Sequence, residues 1–134
     1  MQVKAEDCII SGGDWNSIFD QNIDKSGGVL SGSNVVNEMH QLIDNYDLYN
    51  IWRLRNQYTT RFTYRQKTPL IQSRLDYFLL SHPCLDFVNE TDIISSVWSD
   101  HSGISLKLKL FPEWPKGRGS WKFNASYLED TEFV

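Results

Sequence analysis

The run Leu75-Asp76-Tyr77-Phe78-Leu79-Leu80 limits most severely what this chain can become. So apolar a stretch, stopped by His82-Pro83, reads as a core strand from Arg74 to Ser81. It nevertheless carries an acid near its start. An unpaired carboxylate in such surroundings is costly, so Asp76 must be paired or hold a metal. Arg74 and Arg53 are the candidate partners for a structural ion pair. Catalysis is the other reading.

The remaining pattern alternates short strands with one helix. Cys8-Ile9-Ile10-Ser11, closed by Gly12-Gly13, predicts a buried strand with a glycine exit. Residues 17 to 33 are polar and rich in Gly, Ser and Asn, and read as a loop over the surface. From Asn34 to Asn45, Val35, Val36, Met39, Leu42 and Ile43 share one helical face, and Ser33 or Asn34 can cap it. Leu48 to Leu54 is mixed and ends in a short strand or turn. Arg61 to Arg65 alternates around Phe62 and Tyr64. Thr91 to Trp98 and Gly103 to Leu110 read as two more strands, the second setting Ile104, Leu106, Leu108 and Leu110 against Ser105, Lys107 and Lys109. Phe111-Pro112-Glu113-Trp114-Pro115 stops it, and the glycines and isolated aromatics that follow read as a linker. Trp52, Tyr58, Phe62 and Tyr64 read as core aromatics, and His40 and His82 as structural or exposed.

With 40% hydrophobic residues the chain can build a packed core. Its net charge of −4 argues against a binding module that holds nucleic acid by charge alone, and fits a carboxylate-rich site whose charge a divalent cation offsets. Cys8 and Cys84 have no metal-type spacing and read as small core hydrophobes in a reducing compartment. The opening residues are polar, and no apolar run approaches the ~20 residues of a membrane span. The expected location is intracellular, nuclear or cytoplasmic, with no membrane contact.

Three polar groupings stand at strand ends: Gly13-Asp14-Trp15-Asn16, Ser73-Arg74-Leu75-Asp76-Tyr77 and Ser99-Asp100-His101-Ser102. If extended, Asp14 and Asn16 point to the same side. His101, adjacent to Asp100, titrates near neutrality and suits proton transfer. Three carboxylates, one amide and one imidazole are what metal-assisted phosphodiester hydrolysis requires: a base or donor for protons, and groups that position phosphate and neutralise developing charge. Each grouping also has a plain structural reading. Asp14 and Asn16 are common turn residues, Asp76 can be an ion-pair partner, and Ser-Asp-His-Ser can be a polar hairpin turn.

In their order, these groupings resemble the Gly-Asp-x-Asn, Arg-(Ile/Leu)-Asp-Tyr and Ser-Asp-His motifs of the endonuclease/exonuclease/phosphatase family, from about Cys8 to Leu110. Phe62-Thr63-Tyr64-Arg65, Pro69-Leu70-Ile71-Gln72 ahead of Ser73, Asp92-Ile93-Ile94, and the tail Gly119 to Leu128 are similar to the nicking endonuclease domain of LINE-type non-LTR retrotransposons and to its linker toward reverse transcriptase. The resemblance implies an α/β fold, an α+β sandwich: part of a four-layer arrangement, mostly one mixed sheet with a helix outside. It implies an endonuclease unit over 1–111 and a linker over 112–134. It implies Mg²⁺ or Mn²⁺ as cofactor and DNA as partner.

Residue by residue, the resemblance implies that Asp14 acts at the water or leaving group and near the metal. Asn16 contacts the scissile phosphate, Asp76 orients the histidine, Asp100 is a metal-site acid, and His101 is the base or transition-state donor. Trp15 stands where Phe is more usual. The matched segment corresponds to the C-terminal half of the family domain. The family's early Asn, metal-binding Glu and phosphate-side Tyr or His have no match, and Glu6 is not one. The expectation is impaired hydrolysis by this chain alone, an apolar sheet face left without a partner at Leu75 to Leu80 and Ile104 to Leu110, and pairing with the missing half, with the reverse transcriptase region or with itself. The alternative is an inactive fragment that serves only as an interaction module.

Overall fold

The computed structural model of the chain describes residues 8–28 and 33–109. The end of the last expected strand at Leu110, the boundary at 111 and the linker over 112–134 lie outside the described residues, as does Glu6. The side chains of Val35 and Val36 do as well.

The elements run β1 (Ile10–Asp14), β2 (Lys25–Ser26), α1 (Ser33–Asn45), β3 (Leu48–Asn50), α2 (Ile51–Arg55), β4 (Tyr64–Gln66), β5 (Ile71–Ser73), β6 (Asp76–Ser81), a 3-10 helix (His82–Phe87), β7 (Val88–Ile94) and β8 (Gly103–Leu108). The class is α+β. The strands are divided among three antiparallel sheets, ordered β1-β6-β3, β2-β5-β4 and β7-β8, rather than gathered in one mixed sheet. Only β4-β5 and β7-β8 pair strands that follow one another in sequence, where a short connection favours the antiparallel arrangement; the other pairs join distant segments.

The apolar run becomes β6, central in the first sheet, and both its faces are covered. Because side chains alternate along a strand, Leu80 and Phe78 face one way, where Ile51, Cys84, Val88, Leu106 and Leu108 pack. Tyr77 and Leu79 face the other, against Leu48, Ile9, Trp15 and the α1 residues Met39 and Ile43. For Leu75 to Leu80 the expectation of an apolar face without a partner is therefore overturned, since the β7-β8 hairpin and the 3-10 helix fill one side and α1 the other. Leu79 and Leu80 are fully buried, and each burial contributes about 1.5–3 kcal/mol. Close packing also dictates Gly12, where a Cβ would run into the ring of Phe78.

Other expectations need correction. The first strand is not buried: it lies at a sheet edge, and Ile10 is exposed. The segment after it is not wholly superficial, because Ser17, Ile18 and Asp24 are buried and β2 pairs with β5. The mixed segment after α1 is a short strand that turns directly into a helix, α2, capped by the Asn50 side chain on Arg53 N. The strand expected to reach Trp98 stops at Ile94, where pairing with Gly103 ends the ladder. Tyr58 is exposed rather than core, whereas Trp52 is buried.

Cys8 and Cys84 are not free thiols. They are joined by a disulfide with a Cα–Cα distance of 5.5 Å. The register explains the meeting: Ser81 N donates to Ile9 O at 3.0 Å, and Ile9 N donates to Ser81 Oγ at 2.8 Å. Cys8 is thereby fixed beside the 3-10 helix that continues β6. Among the described residues, no helix is long and apolar enough to cross a membrane.

Candidate active site

The β1-β6 ladder sets Asp14 directly opposite Asp76. Like charges facing each other across an antiparallel pair are destabilising, so the arrangement calls for a compensating cation. His101 comes to the same place from the β7-β8 connection. Its Nδ1 lies 2.9 Å from Asp76 Oδ2, and one ligand atom from each of Asp14, Asp76 and His101 falls within 4.8 Å of the others.

Strand β4 and the residues just before it hold His101 in place. Ser102 N donates to Thr63 O at 2.6 Å and Arg65 N donates to Asp100 O at 2.9 Å, with Tyr64 bridging to His101 between them. The Tyr64 ring lies 5.1 Å from the imidazole. Thr63 is fully buried. Its Oγ1 accepts from Leu75 N at 2.9 Å and from Asp76 N at 3.0 Å. Thr63 thus ties the strand start bearing Asp76, through its hydroxyl, to the loop bearing His101, through its carbonyl.

Asp76 is partly buried and His101 more open, with side chains 13% and 31% exposed. Burial alone would disfavour the imidazolium. The hydrogen bond to Asp76 and the charges of Asp76, Asp14 and Asp100 outweigh it, and the pKa of His101 is raised above its usual 6.5.

The structural partners foreseen for Asp76 are engaged elsewhere. Arg74 Nε and Nη2 donate to Asp24 Oδ1 and Oδ2 at 2.8 and 2.7 Å. Arg53 Nη2 also donates to Asp24 Oδ1. Asp24 and Arg74 are fully buried, and the Arg74 guanidinium sits over Trp52 and Tyr77 at 5.4 and 5.2 Å. Asp24 escaped the sequence reading because it stands in a polar segment with no periodicity to mark it as inward-facing. Thr63 and Tyr64 had two signals, strand alternation and the Phe62-Thr63-Tyr64-Arg65 segment of the resemblance, and neither assigned them a role.

Asn16 does not continue the strand beyond Asp14. It turns into the left-handed region at φ 48°, which Asn tolerates, and its N–H donates to Asp14 Oδ1 at 2.9 Å. The extended geometry assumed for this pair is therefore replaced by a turn, but the two residues stay adjacent. Asp100 is exposed next to His101 and accepts from Ser99 Oγ at 3.4 Å. Ser99-Asp100-His101-Ser102 does lie in a hairpin connection, as its plain reading had it, and His101 still reaches Asp76. His40 meets Phe19 edge-on and His82 meets Tyr49. Neither joins the group.

No protein-family model matches the chain. It is 32% identical, over 137 residues, to the transposon TX1 uncharacterized 149 kDa protein of Xenopus laevis. That alignment takes in 98% of this chain and 10% of the Xenopus protein. The chain is accordingly a relative of one segment, about a tenth of the length, of a transposon protein.

Proposed function

We propose that this chain carries the reacting residues of a divalent-metal-dependent phosphodiesterase that nicks DNA, of the endonuclease/exonuclease/phosphatase type and derived from a LINE-type retrotransposon. The observation that carries the reading is the convergence of Asp14, Asp76 and His101 from three separate segments. A buried ion pair would have sufficed to accommodate Asp76, yet the available arginines serve Asp24 instead. Similarity to a transposon protein supports the genetic setting.

The donor set fits a small, hard divalent cation, which binds through one or two carboxylates and keeps much of its water. Asp14 is the acid of the cluster that would hold it, and Asp100, next to His101 in the loop but outside that cluster, is the second candidate. Both are exposed, and Asp76 is already occupied by the imidazole. Mg²⁺ or Mn²⁺ bound there would polarise the phosphoryl oxygen and neutralise developing charge.

The chain's own residues supply the rest. With Asp76 accepting from Nδ1–H, the tautomer of His101 is fixed and Nε2 is left to take or return a proton at the phosphate. Asp14 orients the attacking water or the leaving oxygen. The exposed side-chain amide of Asn16, whose backbone N–H the turn bonds to Asp14, can donate to a phosphate oxygen. Nicking of supercoiled plasmid by the chain in Mg²⁺, compared with His101→Ala, tests the reading. The expected loss in the variant is on the order of 100-fold or more. Equal rates in both proteins overturn it, and no nicking by either favours the alternative, an inactive fragment that serves as an interaction module.

A further inference from the structure

Among the described residues, three buried side-chain polar atoms have no hydrogen-bond partner: Ser17 Oγ, Asn50 Nδ2 and Arg53 Nε. Such orphans are uncommon, because a donor shut away from water without an acceptor costs free energy. Asn50 and Arg53 line one and the same cleft. It measures about 270 Å³ and lies between Phe19 and the turn from β3 into α2. The two residues are joined at the first turn of α2, where Asn50 Oδ1 accepts from Arg53 N at 3.3 Å.

Charge points the same way. Arg53 and Arg74 share the single carboxylate of Asp24, and all three residues are buried. Two cations against one anion leave one positive charge in the interior without a counter-charge. The carbonyls of Asn56, Gln57 and Thr59 accept from Arg53 Nη1, and Asn50 Oδ1 accepts from Arg74 Nη1, but these groups are neutral. A buried charge left in this condition is costly. No acid lines the cleft, and Asp47 is taken up by the Tyr49 hydroxyl. Phe19, Tyr49 and Leu54 give much of the remaining wall, and Leu54 is 45% exposed.

We infer that this cleft is a binding site for a small monocarboxylic acid with an apolar or aromatic body, whose carboxylate accepts from Arg53 Nε–H and from the Asn50 amide. One negative charge matches the one positive charge left over. A carboxylate offers two oxygens to the two free donors, whereas a phosphate monoester brings three oxygens and a charge of about −1.5 to −2. The cleft is just smaller than the ~300–1,000 Å³ of sites for drug-sized ligands, so the body is limited to a single ring or a short branched chain. It rests against Phe19, Tyr49 and Leu54. None of Asp14, Asp76 and His101 lines this cleft, and the inference stands apart from the hydrolytic reading.

The test titrates the isotope-labelled full chain with phenylacetate and follows the NMR signals of Arg53 Nε–H and of the Asn50 side-chain amide. Saturable shifts of both are expected. Phenylacetamide, which keeps the ring and lacks the charge, should give none. Asn50→Asp keeps an N-cap acceptor for Arg53 N and supplies the missing charge from within. It should raise Tm and weaken phenylacetate binding about 10- to 150-fold, the equivalent of one lost hydrogen bond to a charged group. Leu54→Asp sets an acid at an exposed position of the wall, where folding is not at stake, and should weaken binding by repulsion. No saturable shift of the two signals, equal shifts with phenylacetamide, or unchanged affinity in either variant would each overturn the inference. A lower Tm in Asn50→Asp would overturn the charge balance on which it rests. Inorganic phosphate bound more tightly than phenylacetate would overturn the assignment to a carboxylic acid.

Discussion

Replacing Asp24 by Asn should do more damage than any other single polar substitution among the described residues. Its carboxylate is fully buried and takes a two-pronged contact from Arg74, which is itself fully buried. It also accepts from Arg53, whose side chain is 10% exposed. An Asn of the same shape removes the charge and turns one acceptor into a donor aimed at guanidinium donors. Arg53 keeps the carbonyls of Asn56 and Thr59 at 2.8 and 3.0 Å. Arg74 keeps only Asn50 Oδ1 at 3.2 Å and two aromatic faces. The cost therefore falls on one buried cation stripped of its counter-charge, about 3–5 kcal/mol. Small domains have about 5–15 kcal/mol in total, and a loss near 4 kcal/mol lowers Tm by roughly 15–30 °C. Thermal and urea unfolding followed by circular dichroism would read this directly. Neutralising the whole group, Asp24→Leu with Arg53→Met and Arg74→Met, should restore most of the stability, because no charge is left unpaired. Asp24→Asn within 1 kcal/mol of the unsubstituted chain would refute the reasoning, since no desolvated arginine could then be present.

Three further outcomes follow from the same geometry. In metal-free protein, the His101 ring protons should titrate above the ordinary 6.5, and Asp76→Asn should bring the midpoint down. A raised folded value means that this contribution to stability is complete below pH 6.5 and disappears as pH rises through the folded value. An NMR titration with no difference between the two proteins contradicts the pairing. Thr63→Val should cost about 1–3 kcal/mol by stranding two backbone donors. It should also shift the His101 resonances, while Thr63→Ser does neither. If the valine variant leaves the histidine spectrum unmoved, Thr63 does not position the loop. Reduction of the Cys8–Cys84 disulfide, which closes a loop with a sequence separation of 76, should lower stability by up to about 4.5 kcal/mol on the chain-entropy account. Superimposable denaturation curves with and without reductant would show that the bond is absent in solution.

The sequence alone determined the elements whose signal is local. The apolar run of β6, the helical spacing of α1 and the alternation of β8 each record a face that must be buried, so their type and approximate extent were legible. Of the residues singled out for chemistry, Asp14, Asp76 and His101 do come together in the fold. What could not be read was who meets whom. Asp76 had two plausible fates in sequence, an arginine or a histidine. The choice depends on Asp24, far away in a polar segment, claiming both arginines. Asn16 was expected to extend beside Asp14 and instead turns, because its own N–H is satisfied by the aspartate. The cover over β6 and the disulfide likewise arise from segments brought together only by strand register. Register and burial are long-range properties: they emerge when distant segments compete for the same few partners, and only the tertiary structure decides that competition.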